Sequence, residues 1–173
     1  MSKLRIKQVF RYGRPYSNEK AIIDGYPNHF HVTNFPDNKL VVLESGINPI
    51  AEIKGKEGNR KPAILIRSSP HKIGSEATPW QDVFDVDNGH IRYYGDNKTP
   101  GTDPAMAAGN KILLEAFQTY NDVERRHLSV PLIFYKAVSR NNKAKGYLEF
   151  NGFGIIKAVE LVTQYDRKLD RTF

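Results

Sequence analysis

The chain has 173 residues, with 26 Lys+Arg against 19 Asp+Glu, a net charge of +7 and a pI near 9.5. It holds no cysteine, which excludes a disulfide framework, a Cys-based zinc site and thiol catalysis, and fits a reducing compartment. Apolar residues at 39% and aromatics at 11% suffice for one packed core, so a single domain over 1–173 is expected and global disorder is excluded.

The N-terminus, MSKLRIKQVF, is basic but lacks the apolar run of a secretory signal. No stretch of the chain reaches 18 apolar residues, so no membrane-spanning helix is expected. Short strands follow at Leu4–Arg11, His29–Asn34, Leu40–Glu44, Ile50–Lys54 and Ala63–Arg67, each rich in β-branched or aromatic residues and bounded by Gly, Pro, Asn or Asp. Gly55–Arg60 reads as a charged turn. Residues 68–103 read as a long irregular region carrying one strand, Gly89–Tyr94, and loops of that length are usually functional. Asp103 as N-cap and Pro104 at the first helical position open a helix with Ile112, Leu113, Ala116, Phe117 and Tyr120 on one face. Strands at Val130–Val138, Tyr147–Phe150 and Gly154–Val162 complete a strand-dominated α+β domain, a curved sheet or partial barrel with one main helix.

The excess of positive charge points to a polyanion, most economically nucleic acid. Residues 52–72 hold six cations against two acids, a net +4, and residues 136–145 hold four cations and no acid. Residues 80–103 between them sum to −3. Basic flanks suit phosphates, which makes Lys61, Arg67, His71, Lys72, Arg140, Lys143 and Lys145 candidates for a nucleic-acid backbone, joined by Arg92 and Lys98 from the segment between them. An acidic, aromatic segment between them suits a base.

Catalytic and metal motifs are weaker. Pro36-Asp37 followed by Glu52-Ile53-Lys54 has the PD…ExK layout of metal-dependent nucleases, but an Asp-Asn turn and a charged strand end explain the same residues. Asp85, Asp87 and Asp96 echo a calcium loop whose required Gly is His90. The five histidines show no zinc spacing, and His29 with His31 reads as a surface pair on one strand face. Asn151-Gly152-Phe153-Gly154 is a turn or bulge signal. No catalytic residue, metal site or cofactor is expected in this chain.

The informative stretch is 62–110. Trp80, the only tryptophan, stands in a polar setting and is followed by Asp82, Asp85, Asp87, Tyr93, Tyr94 and Asp96. Aromatic walls with a carboxylate between them suit a flipped cytosine: the rings stack on its faces and the carboxylate accepts from the N4 amino group. The alternative for Trp80 is an ordinary core residue.

KPAILI at 61–66, SSPHKIGSEATPWQD at 68–82, DNGHIRYYGD at 87–96, Gly109-Asn110, PLIFYK at 131–136 and KGYLEFNGFGIIKAVELVTQYD at 145–166 together resemble the N-terminal DNA-recognition domain of AspBHI-like modification-dependent restriction endonucleases. The resemblance covers residues 40–170. It implies an SRA-like (PUA-like) fold that binds double-stranded DNA carrying a modified cytosine, 5-methylcytosine foremost, by base flipping. By the same resemblance Trp80 matches the first stacking aromatic, Tyr93 or Tyr94 the second, and Asp82 or Asp85 the base-edge carboxylate. It further implies a prokaryotic, cytoplasmic setting. The nuclease domain of such an enzyme, with its Mg²⁺ and any oligomer contacts, is expected outside this chain. A small PD-(D/E)xK nuclease using Asp37, Glu52 and Lys54, and an RNA-binding PUA-like module, are the alternatives.

Overall fold

The computed structural model describes residues 4–12, 20–30, 43, 45–69, 81–95, 102–163, 165–166 and 170–172. The strands are β1 (Val9–Arg11), β2 (Ile22–Ile23), β3 (Tyr26–Pro27), β4 (Ile47–Pro49), β5 (Ile53–Gly55), β6 (Gly58–Arg60), β7 (Ile64–Ser68), β8 (Val83–Asp85), β9 (His90–Arg92), β10 (Leu132–Ala137), β11 (Tyr147–Gly154), β12 (Tyr165–Asp166) and β13 (Arg171–Thr172). The helix α1 spans Ala108–Asn121. Five strands form one mixed sheet in the order β1-β11-β10-β7-β4, and the others pair as two-stranded ribbons. Among the described residues the fold is therefore strand-dominated with one main helix, and the sheet does not close into a barrel.

β7 and β10 are parallel, with Ile64 opposite Leu132 and Ser68 opposite Lys136. Central parallel strands are covered on both faces, so they read as unbroken apolar runs. ILI at 64–66 and LIFY at 132–135 are such runs. On one face Ile64, Ile66, Leu132 and Phe134 pack under Ile112, Leu113 and Ala116 of α1 and under Phe84, Ile91 and Tyr93 of the β8–β9 hairpin. On the other, Leu65 and Tyr135 join Phe10, Leu43, Leu148 and Phe150.

Several sequence expectations shift. Asp103 caps a single 3₁₀ turn, Pro104–Met106, and α1 starts only at Ala108. Residues 55–60 are not a simple turn: Gly55 pairs with Gly58 in an exposed β5–β6 ribbon. The break expected after Phe150 is absent. β11 runs on to Gly154 through a bulge opposite Phe134/Tyr135, where Gly152 takes φ +111, and of the strand expected at 154–162 only Gly154 is paired, residues 155–162 carrying no ladder. The surface-pair reading of His29 and His31 fails at His29, while His31 lies outside the described residues. His29 begins a helical turn and is wholly buried. Its ring stands edge-on to Tyr135 at 4.9 Å, Tyr12 at 5.8 Å and Phe10 at 6.0 Å. Loss of water around it lowers its pKa to about 4.

Candidate nucleic-acid interface

One end of the sheet gathers several of the described candidate residues, and topology explains why. β7 and β10 run the same way, so their C-terminal ends, Ser68 and Lys136, lie side by side. β1 is antiparallel to β11, which brings Arg11 to Tyr147 at that end. β4 is antiparallel to β7, so its N-terminal end and Gly46 lie there too. From β7 the chain departs toward Trp80. From β10 it departs into the basic segment 139–146.

The β8–β9 hairpin is seated at this end. Its pairing is Val83 with Arg92, Phe84 with Ile91, and Asp85 with His90. Side chains alternate along a strand, so Phe84, Ile91 and Tyr93 face the core while Val83, Asp85, His90 and Arg92 face outward, with Tyr94 following them. The Tyr93 hydroxyl lies against Gly46, where an added Cβ would stand only 2.5 Å from it. The Lys136 ammonium sits 5.7 Å from the centre of the Phe84 ring. Gly95 lies so close to the Asn110 side chain that an added Cβ would overlap it, and Asn110 donates to the Pro104 carbonyl at 2.9 Å. Gly109 also packs closely on Ile47, with 2.8 Å from an added Cβ to Cδ1. The Tyr-Tyr-Gly and Gly-Asn blocks, separate in sequence, are thus one packed unit.

The two carboxylates left open by spacing have different surroundings. Asp82 Oδ1 accepts the backbone N–H of Tyr94 at 2.9 Å, beside the tyrosines. Asp85 accepts from the Asn88 side chain at 2.9 Å and the Asn88 N–H at 3.1 Å, closing the hairpin turn. Those bonds, the side-chain one foremost, hold the Asp85 pKa below the usual carboxylate range. Tyr93 packs against the core cluster of Ile64, Ile66, Leu132 and Phe134, and Tyr94 is half-buried after the end of β9.

The basic candidates also separate. Arg67 is half-buried and its Nη1 donates to the Leu43 carbonyl at 2.9 Å. Lys61 pairs with Glu52 at 3.3 Å. Arg92 is exposed on the outer face of β9. Arg140 and Lys143 flank a two-residue turn in which Arg140 N–H donates to the Lys143 carbonyl at 3.1 Å and Lys143 N–H donates back at 2.8 Å. Asn141 and Asn142 take φ of +51 and +57 in that turn, a left-handed pair that asparagine tolerates. Lys145 is exposed. Trp80, His71, Lys72 and Lys98 lie outside the described residues.

Of the nuclease-like set, Asp37 lies outside the described residues, Lys54 is exposed on β5, and Glu52 is the partner of Lys61. Among the described residues no three His, Asp or Glu side chains cluster as metal ligands, and no helix is long and apolar enough to cross a membrane. Sequence reasoning missed Asp24, Gly46 and Arg11. Each acts through contacts remote in sequence, and none stands in a motif that marks it.

The fold is that of a restriction-endonuclease recognition domain. Residues 34–169 match the family of restriction endonuclease AspBHI N-terminal domains, and the chain belongs to that family. It is similar to the MspJI restriction endonuclease solved in complex with a 27-mer oligonucleotide, with 37% identity over 98% of this chain and a TM-score of 0.81. The DNA recognition domain of the cytosine modification-dependent restriction endonuclease LpnPI shares its fold, with 22% identity over 75% of this chain and a TM-score of 0.54. The chain spans 40% of the length of the first and 56% of the second. No curated protein matches it. The chain is thus homologous to the DNA-recognition domains of modification-dependent restriction endonucleases.

Proposed function

We propose that this chain reads double-stranded DNA carrying a modified cytosine, 5-methylcytosine foremost, and serves as the recognition part of a modification-dependent restriction endonuclease. The base leaves the stack and enters a pocket walled by Trp80 and Tyr94, with Asp82 on its Watson–Crick edge. Tyr93 and Asp85 support that pocket, one by packing the hairpin onto the sheet and the other by closing its turn. The observation that supports this reading is the hydrogen bond from the Tyr94 backbone N–H to Asp82, which ties the carboxylate to the backbone of an aromatic residue at the open end of the β8–β9 hairpin.

Cations reach the phosphates from both sides of this pocket. The basic tip at 139–146 springs from β10 and β11, and Gly46 at the hairpin's seat precedes β4, three strands from β11 in the sheet. At about 4.8 Å per strand that separation is roughly 15 Å, on the order of the 12 Å width of a major groove. One duplex can therefore touch the tip while presenting a base to the pocket. Cleavage belongs to a separate nuclease portion with its own Mg²⁺, and nothing in the binding step requires a metal.

The test is an electrophoretic shift series on one duplex carrying cytosine, 5-methylcytosine or 5-hydroxymethylcytosine at a single position, with structured RNA as competitor. Tighter binding of a modified duplex supports the proposal. Equal binding of all three duplexes, or preferential binding of RNA, overturns it. Mg²⁺-dependent cleavage lost in Lys54→Ala would instead assign nuclease chemistry to this chain.

A further inference from the structure

The 139–146 segment is not a free basic loop. It is clamped at its base by a network centred on Asp24, in the turn between β2 and β3. Asp24 Oδ2 accepts from Arg11 Nε at 3.1 Å and from the Tyr147 hydroxyl at 3.1 Å, and Lys143 Nζ stands 3.7 Å away. Arg11, itself 7% exposed, lies over the Tyr147 ring at 4.8 Å. Its Nη1 donates to the Gly146 carbonyl at 2.6 Å and to the Tyr12 carbonyl at 3.0 Å. Gly146 takes φ +92, and an added Cβ there would overlap the Arg11 guanidinium, so only glycine lets the arginine reach the hairpin backbone.

We propose that Asp24 is a positioning residue for DNA binding: by fixing Arg11, Tyr147 and Lys143 it holds the 140–145 tip in the shape in which its cations meet the phosphate backbone. This rests on the reading of that tip as a phosphate contact. The Tyr147 hydroxyl first, and then Arg11, stabilise the ionised Asp24 carboxylate and lower its pKa. An acid beside a DNA-binding loop would otherwise weaken binding by repelling phosphate. Its presence at the centre of the clamp is explained if the order it imposes on Arg11 and Lys143 outweighs that repulsion. Holding long side chains in advance reduces the ordering left to occur on binding.

The sign of the effect decides the matter. Affinity is measured by fluorescence anisotropy across a salt series for wild type, Asp24→Ala, Tyr147→Phe, Lys143→Ala/Lys145→Ala, and the combination of Asp24→Ala with the lysine pair. Asp24→Ala is expected to weaken binding about fivefold to tenfold and flatten the salt slope by about one. The preference for modified over plain duplex should stay unchanged, and adding the lysine changes should cost little more. Tyr147→Phe, which removes one hydroxyl and keeps the packed ring, should weaken binding about twofold and stands in should Asp24→Ala fail to fold. Tighter binding with a steeper slope in Asp24→Ala shows Asp24 to be only a repulsive charge and overturns the proposal. So does wild-type affinity in a folded Asp24→Ala or in Tyr147→Phe, when the lysine pair still matters. An unaffected lysine pair removes the tip from the DNA contact, which overturns the underlying reading and this proposal together.

Discussion

Asp82 and Tyr94 are joined across the open end of the β8–β9 hairpin, the carboxylate accepting the tyrosine's backbone N–H at 2.9 Å. Asparagine keeps an oxygen that can accept this bond, so Asp82→Asn separates the hairpin's geometry from the chemistry at the base edge. The variant should fold with an unchanged melting temperature and lose preference for modified cytosine over plain sequence, because its amide NH₂ opposes the N4 amino group. Asp85→Asn should leave that preference intact. Parallel binding titrations with both variants check the assignment, and an effect confined to Asp85→Asn would reverse it.

Stacking of a base on an aromatic ring is worth about 1–3 kcal/mol, so Trp80→Ala and Tyr94→Ala should each weaken binding of modified duplex by about one to two orders of magnitude. Binding to plain duplex should barely change, since it is electrostatic. Tyr93→Ala should behave differently. Its ring packs on Ile64, Ile66, Leu132 and Phe134, and removing a half-buried ring costs about 2 kcal/mol of stability. Denaturant midpoints measured beside affinities distinguish a wall of the pocket from its foundation.

The salt dependence should be steep. If about five cations reach phosphates, log K falls with log salt at a slope of roughly −4 to −5. Lys143→Ala/Lys145→Ala removes two of them and should make the slope less steep by about 1.8, with no change in the preference for modified DNA, because phosphate contacts position and do not specify. A slope near zero in the wild type would mean that the basic segments are solvated surface.

Acid should destabilise the fold through His29. Its pKa is lowered to about 4 in the folded chain, against about 6.5 when unfolded. As pH falls below 6.5 the unfolded state takes up the proton first, so stability is full above that value and is lost progressively down to about 4. The whole difference amounts to about 3 kcal/mol. Urea midpoints between pH 7 and 4 should show this slope, and His29→Phe should remove most of it. Asp24 and Asp85, both lowered by hydrogen bonds, contribute in a separate window below the usual carboxylate range, where their protonation withdraws stability.

Gly95→Ala should disturb the hairpin, because the new methyl overlaps Asn110. Lower stability and weaker discrimination of modified DNA are expected together. Asn110→Ala in the same chain opens that space and should restore part of both. No restoration in the double variant would mean that Gly95 is required for its backbone alone.

Local pattern alone determined part of this protein. Unbroken apolar runs at 64–66 and 132–135 announced the central strands, since strands covered on both faces need no polar alternation. The apolar face of 112–120 announced the helix, and the Tyr-Tyr-Gly and Gly-Asn blocks marked the family. The charge pattern pointed to a polyanion. Tertiary structure decided what short-range pattern does not encode. Sequence puts Asp82 and Asp85 in the same acidic run, and only the folded hairpin gave one to Tyr94 and the other to Asn88. His29 looked like a surface residue because periodicity does not reveal which cluster will close over it. Asp24 and Tyr147 are 123 residues apart. Their hydrogen bond exists because β1 pairs with β11 on one side and meets the end of the β2–β3 ribbon through the Arg11–Asn28 bridge on the other, a long-range registry that no window of sequence contains.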